Sequence, residues 1–133
     1  MVAGGRGGVI VHVSSGETMR SAPMLSVYAA AKAAINHLTK SMAVELGPSG
    51  IRVLAVAPGT TPTEHIRAVM SQGYLDDIAA STPLQRGCEP DDLARLILVL
   101  ASDYASAVTG QLVLADMGAH IALQRPSSVP TAT

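Results

Sequence analysis

Residues 9–32 read VIVHVSSGETMRSAPMLSVYAAAK, and two changes of pattern inside them decide the fold. Residues 9–13 are a run of mostly β-branched residues, the composition of a buried strand. Residues 14–25 hold Ser, Gly, Thr and Pro and suit a loop. From Ser26 apolar side chains recur at three- and four-residue spacing: Ala31, Ile35, Leu38 and Met42. That spacing predicts a helix with Ser26 as its cap and Gly47-Pro48 as its stop.

Working outward, residues 51–57 (IRVLAVA) predict a second buried strand, ended by Pro58-Gly59. The stretch 60–88 is polar and punctuated by Pro and Gly, with short helices expected near 63–71 and 74–81. Glu89-Pro90-Asp91-Asp92 opens a further helix to about Ser102, with proline near its start and acids in the first turn. Residues 111–115 (QLVLA) predict a third strand. Strands alternating with helices imply right-handed crossovers and a parallel sheet, hence an α/β fold of about three strands with flanking helices. One domain is expected over residues 1–123, with a frayed tail over 124–133.

Composition narrows the function classes. Apolar residues make up 48% of the 133, and charged residues only 14% against roughly 25% in typical domains. Such a deficit fits a sheet buried on both faces or a surface meant for a partner. A net charge of −1 without a basic run argues against nucleic acid as the main partner. The single Cys88 rules out an internal disulfide and disfavours structural zinc, and the four histidines lack metal-ligand spacing. With no secretory pattern and no apolar run near 20 residues, a cytoplasmic protein with no membrane contact is expected.

The ends of parallel strands are where open α/β folds bind ligands, and Ser15 and Pro58–Thr63 follow two such ends. Tyr28 and Lys32 stand four residues apart on the helix, about 40° apart in projection. A phenol titrates near pH 10, and a fixed ammonium beside it favours the phenolate. A neighbouring serine hydroxyl holds a substrate oxygen in line for proton transfer. Together the three suit proton exchange with a carbonyl or alcohol oxygen, with a cofactor moving the hydride.

The plainer readings are a helix-surface Tyr/Lys pair, a turn cap at Ser15 (or at Ser14 in its place), a strand-ending turn at Pro58-Gly59, and a loop or core thiol at Cys88. The lack of GxSxG and SxxK argues against a hydrolase nucleophile.

GGVIVHVSS, YAAAK thirteen residues after Ser15, IRVLAVAPGTTPT, RGCEPDDLA and ASAVTGQLVLADMG together resemble the short-chain dehydrogenase/reductase family, in order, over roughly residues 1–120. The resemblance implies a partial doubly wound Rossmann-like sheet and an NAD(P)-dependent oxidoreductase interconverting alcohols and carbonyls. It makes Tyr28 the acid/base and Ser15 the orienting serine. Lys32 would bind the nicotinamide ribose and lower the tyrosine pKa. Pro58, Gly59 and Thr63 match the PGxxxT segment along the nicotinamide, with Thr63 at the carboxamide contact.

Two departures are local: His12 stands where the family strand has Asn, and Ala115-Asp116-Met117-Gly118 stands for VDGG. A larger one is that nothing here resembles the family's N-terminal half, with its TGxxxGxG loop, cofactor selector, NNAG turn and catalytic asparagine. GGRGG at 4–8 precedes a strand rather than following one. The chain is therefore expected to be the family's C-terminal half, lacking the dinucleotide-binding half, with its first strand as an unpaired apolar edge. Ala30, Ala33 and Ala34 permit close helix packing, either in an ordinary buried face or in the homo-oligomer contact that the family often forms through this helix. The alternative function is a truncated non-catalytic remnant, or an interaction module that dimerises with related chains.

Overall fold

The computed structural model describes residues 1–122, so the tail predicted over 124–133 lies outside the described residues. Three strands, β1 (Gly8–Val13), β2 (Ile51–Pro58) and β3 (Leu112–Ala115), form one parallel sheet in the order β1-β2-β3. Helix α1 (Ser26–Leu46) joins β1 to β2. Helices α2 (Glu64–Val69), α3 (Gln72–Ser81) and α4 (Pro90–Ala101) lie between β2 and β3. Each element falls within a few residues of its expected place.

β2 organises the layers because its neighbours cover both edges and both faces. Its alternate side chains feed two cores. Ile51 and Val53 pack with Ala43, Met42 and Leu46 of α1 and with Ile10 of β1. Leu54 and Val56 pack on the opposite face with Leu93, Leu96, Ile97 and Leu100 of α4 and with Val9 and Val11. The period-2 alternation of a strand thus yields a helix–sheet–helix sandwich. Arg52 ties the second layer down by donating to the carbonyls of Leu100 (2.8 Å) and Ser102 (3.0 Å) at the end of α4. At the other end of α4, Glu89 and Asp92 form a reciprocal capping box, and Arg86 binds Asp92 from the preceding loop.

Two expectations for α1 need correction. Ser26 is the first helical residue, while Leu25 occupies the cap position without a side-chain hydrogen bond. The chain enters through Met24, whose φ of 64° turns it sharply before the helix. Ala31 and Leu38 also face outward, and the inward stripe is Lys32, Ile35, Asn36, Thr39, Met42, Ala43 and Leu46. Polar members of that stripe find partners on β1 and its loop, so hydrophobic spacing alone misplaces the buried face. Ala30, Ala33 and Ala34 are exposed, which excludes an ordinary buried face for them within this chain.

β1 is an edge strand. Gly8 and Ser14 N–H groups bond β2-side carbonyls, so the peptide groups of Val9, Val11 and Val13 point the other way, where no described strand lies. The strand carries none of the usual edge protection of Pro, Lys or a bulge. Concentration-dependent self-association is therefore expected in sedimentation velocity at tens of micromolar. A single species of 13.6 kDa over the whole range would contradict it.

Candidate functional site

All three strands end on the same side of the sheet, with Val13 opposite Val56 and Pro58 opposite Ala115 in the ladder. Ser15, Pro58 and Gly59 come together there because each strand hands over to a loop at that rim, and Lys32 reaches the same rim at Val13. Gly16, just after Ser15, lies so close to β2 that a Cβ there would meet the Pro58 carbonyl oxygen at 3.3 Å. A Cβ on Gly59 would meet the Asp116 Cα at 3.0 Å. These two glycines let the ends of β1, β2 and β3 converge.

Ser15 is buried and caps the short 3-10 turn Gly16–Thr18, its Oγ accepting from the Glu17 N–H at 3.2 Å. The plain turn-cap reading is thus correct, and it is compatible with chemistry: the cap uses a lone pair and leaves the hydroxyl proton free to donate. Ser14 does different work: its one hydroxyl proton goes to the Asn36 Oδ1, with the Lys32 carbonyl a longer, alternative acceptor at 3.2 Å.

Tyr28 and Lys32 share one flank of α1, the ammonium 5.8 Å from the centre of the phenol ring. Lys32 reaches across to donate to the Val13 carbonyl at 3.0 Å, one of the outward-pointing groups of the β1 edge. Two ammonium protons remain for other partners. Tyr28 is 45% exposed, and its hydroxyl has no hydrogen-bond partner among the described residues. Pro58 and Gly59 adjoin the Ser15 loop. Thr63 stands farther along as the cap of α2, accepting from Ile66 N–H at 3.3 Å, and no hydrogen bond joins it to Ser15, Tyr28 or Lys32.

Two shallow clefts are present, and none of Ser15, Tyr28 and Lys32 lines either of them. One, of about 300 Å³, separates Glu17–Ser21 from Ala29, Ala30 and Ala33. The other, of about 90 Å³, runs between Thr60, Pro62, Arg67 and α3.

Sequence reasoning missed several supporting residues. His12 Nδ1 lies 2.9 Å from Thr39 Oγ1, whose own proton goes to the Ile35 carbonyl. His12 must therefore donate through Nδ1, and in this chain it ties β1 to α1. Asn36 and Thr18 brace the Ser15 loop. Asp116, buried at the end of β3, accepts from the Gly118 N–H, the His120 N–H and the His120 imidazole. The i, i+4 spacings of Lys32–Asn36 and Asp116–His120 were the available signals. Cys88 is buried, and burial pushes its thiol above the ordinary range, as befits an inert core thiol.

Residues 1–120 match the family profile described as enoyl-(acyl carrier protein) reductase. The fold superposes on a short-chain type dehydrogenase/reductase from Mycobacterium ulcerans with a TM-score of 0.84 and 36% identity, over 92% of this chain and 44% of that one. The chain belongs to the short-chain dehydrogenase/reductase family. A 3alpha-hydroxysteroid dehydrogenase of Mediterraneibacter gnavus is 45% identical over 114 residues, covering 86% of this chain and 45% of that protein. The 3-ketoacyl-(acyl-carrier-protein) reductase from Brucella melitensis complexed with NADH superposes with a TM-score of 0.78 at 35% identity, over 90% of this chain and 47% of that one. The chain spans about half the length of the relatives it matches. Their names are those of oxidoreductases, with different substrates.

Where this family's close has glycine, Met117 adopts φ 57°, in the left-handed region that costs an ordinary residue roughly 1–2 kcal/mol. Met117→Gly is expected to stabilise the chain by up to about 1 kcal/mol in urea unfolding, since glycine's extra unfolded-state freedom offsets part of that strain.

Burial alone would raise the Asp116 carboxyl, but the hydrogen bonds from His120 and Gly118 outweigh it and hold the carboxyl below the ordinary range. That contribution to stability is present above pH about 4 and is lost as pH falls through the lowered value. Asp116→Asn is expected to cost about 1–2 kcal/mol at pH 7 and to flatten the acid limb of stability below pH about 4.

Proposed function

We propose that this chain carries the proton-transfer apparatus of an NAD(P)-dependent oxidoreductase that interconverts alcohols and carbonyls. Tyr28 is the acid/base, Ser15 orients the substrate oxygen, and Lys32 holds the nicotinamide ribose beside Tyr28. The observation that carries this reading is the buried Ser15 hydroxyl, whose oxygen is pinned by the Glu17 N–H and whose proton has no acceptor among the described residues, at the strand end where Lys32 is anchored. A buried hydroxyl so held can donate to a carbonyl oxygen while the exposed phenol delivers or takes the proton.

The residues fit the nicotinamide end of a dinucleotide. Lys32 has two spare donors for ribose hydroxyls, and Pro58, Gly59 and Thr63 supply the wall and the carboxamide contact. When bound, the nicotinamide supplies or accepts the hydride at the carbinol carbon. No glycine-rich strand-to-helix turn that would cradle the pyrophosphate occurs among the described residues, so binding energy from the adenosine end must come from elsewhere. The substrate is a small alcohol or carbonyl compound taken up beside residues 60–88, and the setting is the cytoplasm. Homo-oligomers would form through the exposed face of α1.

The second reading is a non-catalytic remnant or an interaction module that dimerises with related chains. The open surroundings of Tyr28 and the unpaired β1 edge favour it. Calorimetric titration with NADH and NADPH separates the two. Saturable binding weakened by Lys32→Ala supports the catalytic reading, whereas no heat up to millimolar cofactor supports the remnant. In a preparation that turns over, Tyr28→Phe is expected to lower kcat by about 10²- to 10⁴-fold while cofactor binding is kept.

A further inference from the structure

Ser15 and the Tyr28–Lys32 pair come from different elements, a loop and a helix, so something must set the distance between them. Asn36, the sole asparagine of the chain, lies one turn beyond Lys32 on α1. Its carboxamide is used at both ends. Oδ1 accepts from the Ser14 hydroxyl, and Nδ2 donates to Thr18 Oγ1 at 2.9 Å. Thr18 in turn gives its only hydroxyl proton to the Ser15 carbonyl at 2.8 Å, so towards Asn36 it acts solely as acceptor. The polarity of the chain is therefore forced: amide N–H to Thr18, Thr18 O–H to the Ser15 carbonyl. Ser14 on one side of Ser15 and Thr18 on the other are held by one side chain.

We propose that Asn36 is a positioning residue, the clamp that sets Ser15 relative to Tyr28 and Lys32; its catalytic meaning rests on the reading of the site given above. Aspartate at this position keeps the acceptor for Ser14 but removes the donor for Thr18. The threonine then turns its proton to the new carboxylate and leaves the Ser15 carbonyl with only the Thr18 backbone N–H, at 3.2 Å. Other ties on the loop do not pass through Asn36: the Ser14 N–H to the Val56 carbonyl at 2.7 Å, the Ser14 hydroxyl to the Lys32 carbonyl, the Glu17 N–H to Ser15 Oγ, and Lys32 to Val13. Losing the clamp loosens the loop without unfolding the sheet.

The test is amide hydrogen exchange followed by NMR on the full chain and on Asn36→Ala, Asn36→Asp, Thr18→Val and the Asn36→Ala/Thr18→Val double variant. Exchange at Glu17, Thr18 and Met19 should quicken by about three- to tenfold in each single variant, with β2 amides unchanged. The double variant should be no worse than the worse single one, because both changes break one chain of hydrogen bonds. Unchanged exchange in the loop, or equal acceleration in β2, would overturn the clamp. Where turnover is measurable, Asn36→Asp should lower kcat and leave the KM for the nicotinamide cofactor unchanged, and Thr18→Ser should retain wild-type kcat. A normal kcat with a loosened loop overturns the positioning role. If the wild-type chain shows no turnover, the reading of the site fails on its own, and the exchange experiment still decides the clamp.

Discussion

Val53, Leu54, Ala55, Val56 and Ala57 have no exposed surface, and a strand in that state must have neighbours on both edges and cover on both faces. Every other placement in the structure answers to that demand. β1 and β3 satisfy the backbone of β2, α1 covers one face, and α4 covers the other. Because all three strands run the same way, the loops that follow them meet at one rim, and Gly16 and Gly59 allow them to meet closely. The site is a consequence of how β2 is buried.

The same architecture leaves Lys32 in two roles. Its ammonium lies near the Tyr28 ring and also covers the last outward carbonyl of the β1 edge. A strand added at that edge would compete for the proton given to Val13, while the other two stay available to a ligand.

Much of the fold was legible in advance. Residues 51–57 read as a buried strand because β-branched and small apolar residues leave no polar face, and the helix at Pro90 declares itself through its proline and acids. The inward face of α1 was not legible, because Asn36 and Thr39 look like surface residues until Ser14, Thr18 and His12 arrive from another segment to satisfy them. The entry to the helix was misjudged for a similar reason. Ser26 is a good cap by type, but the turn at Met24 puts the cap at Leu25, one residue earlier than capping chemistry alone suggests.

The sequence by itself determined the element order and the parallel α/β class, since these follow from local periodicity, and it singled out Ser15, Tyr28 and Lys32 as candidates by their spacing and the family resemblance. Only the tertiary structure decided which lone pair of Ser15 is occupied, where the Lys32 protons go, and which residues brace the loop. Those depend on hydrogen bonds between residues up to 22 positions apart, such as Ser14 and Asn36. Such bonds have direction as well as distance, and no spacing in a linear sequence encodes which partner donates.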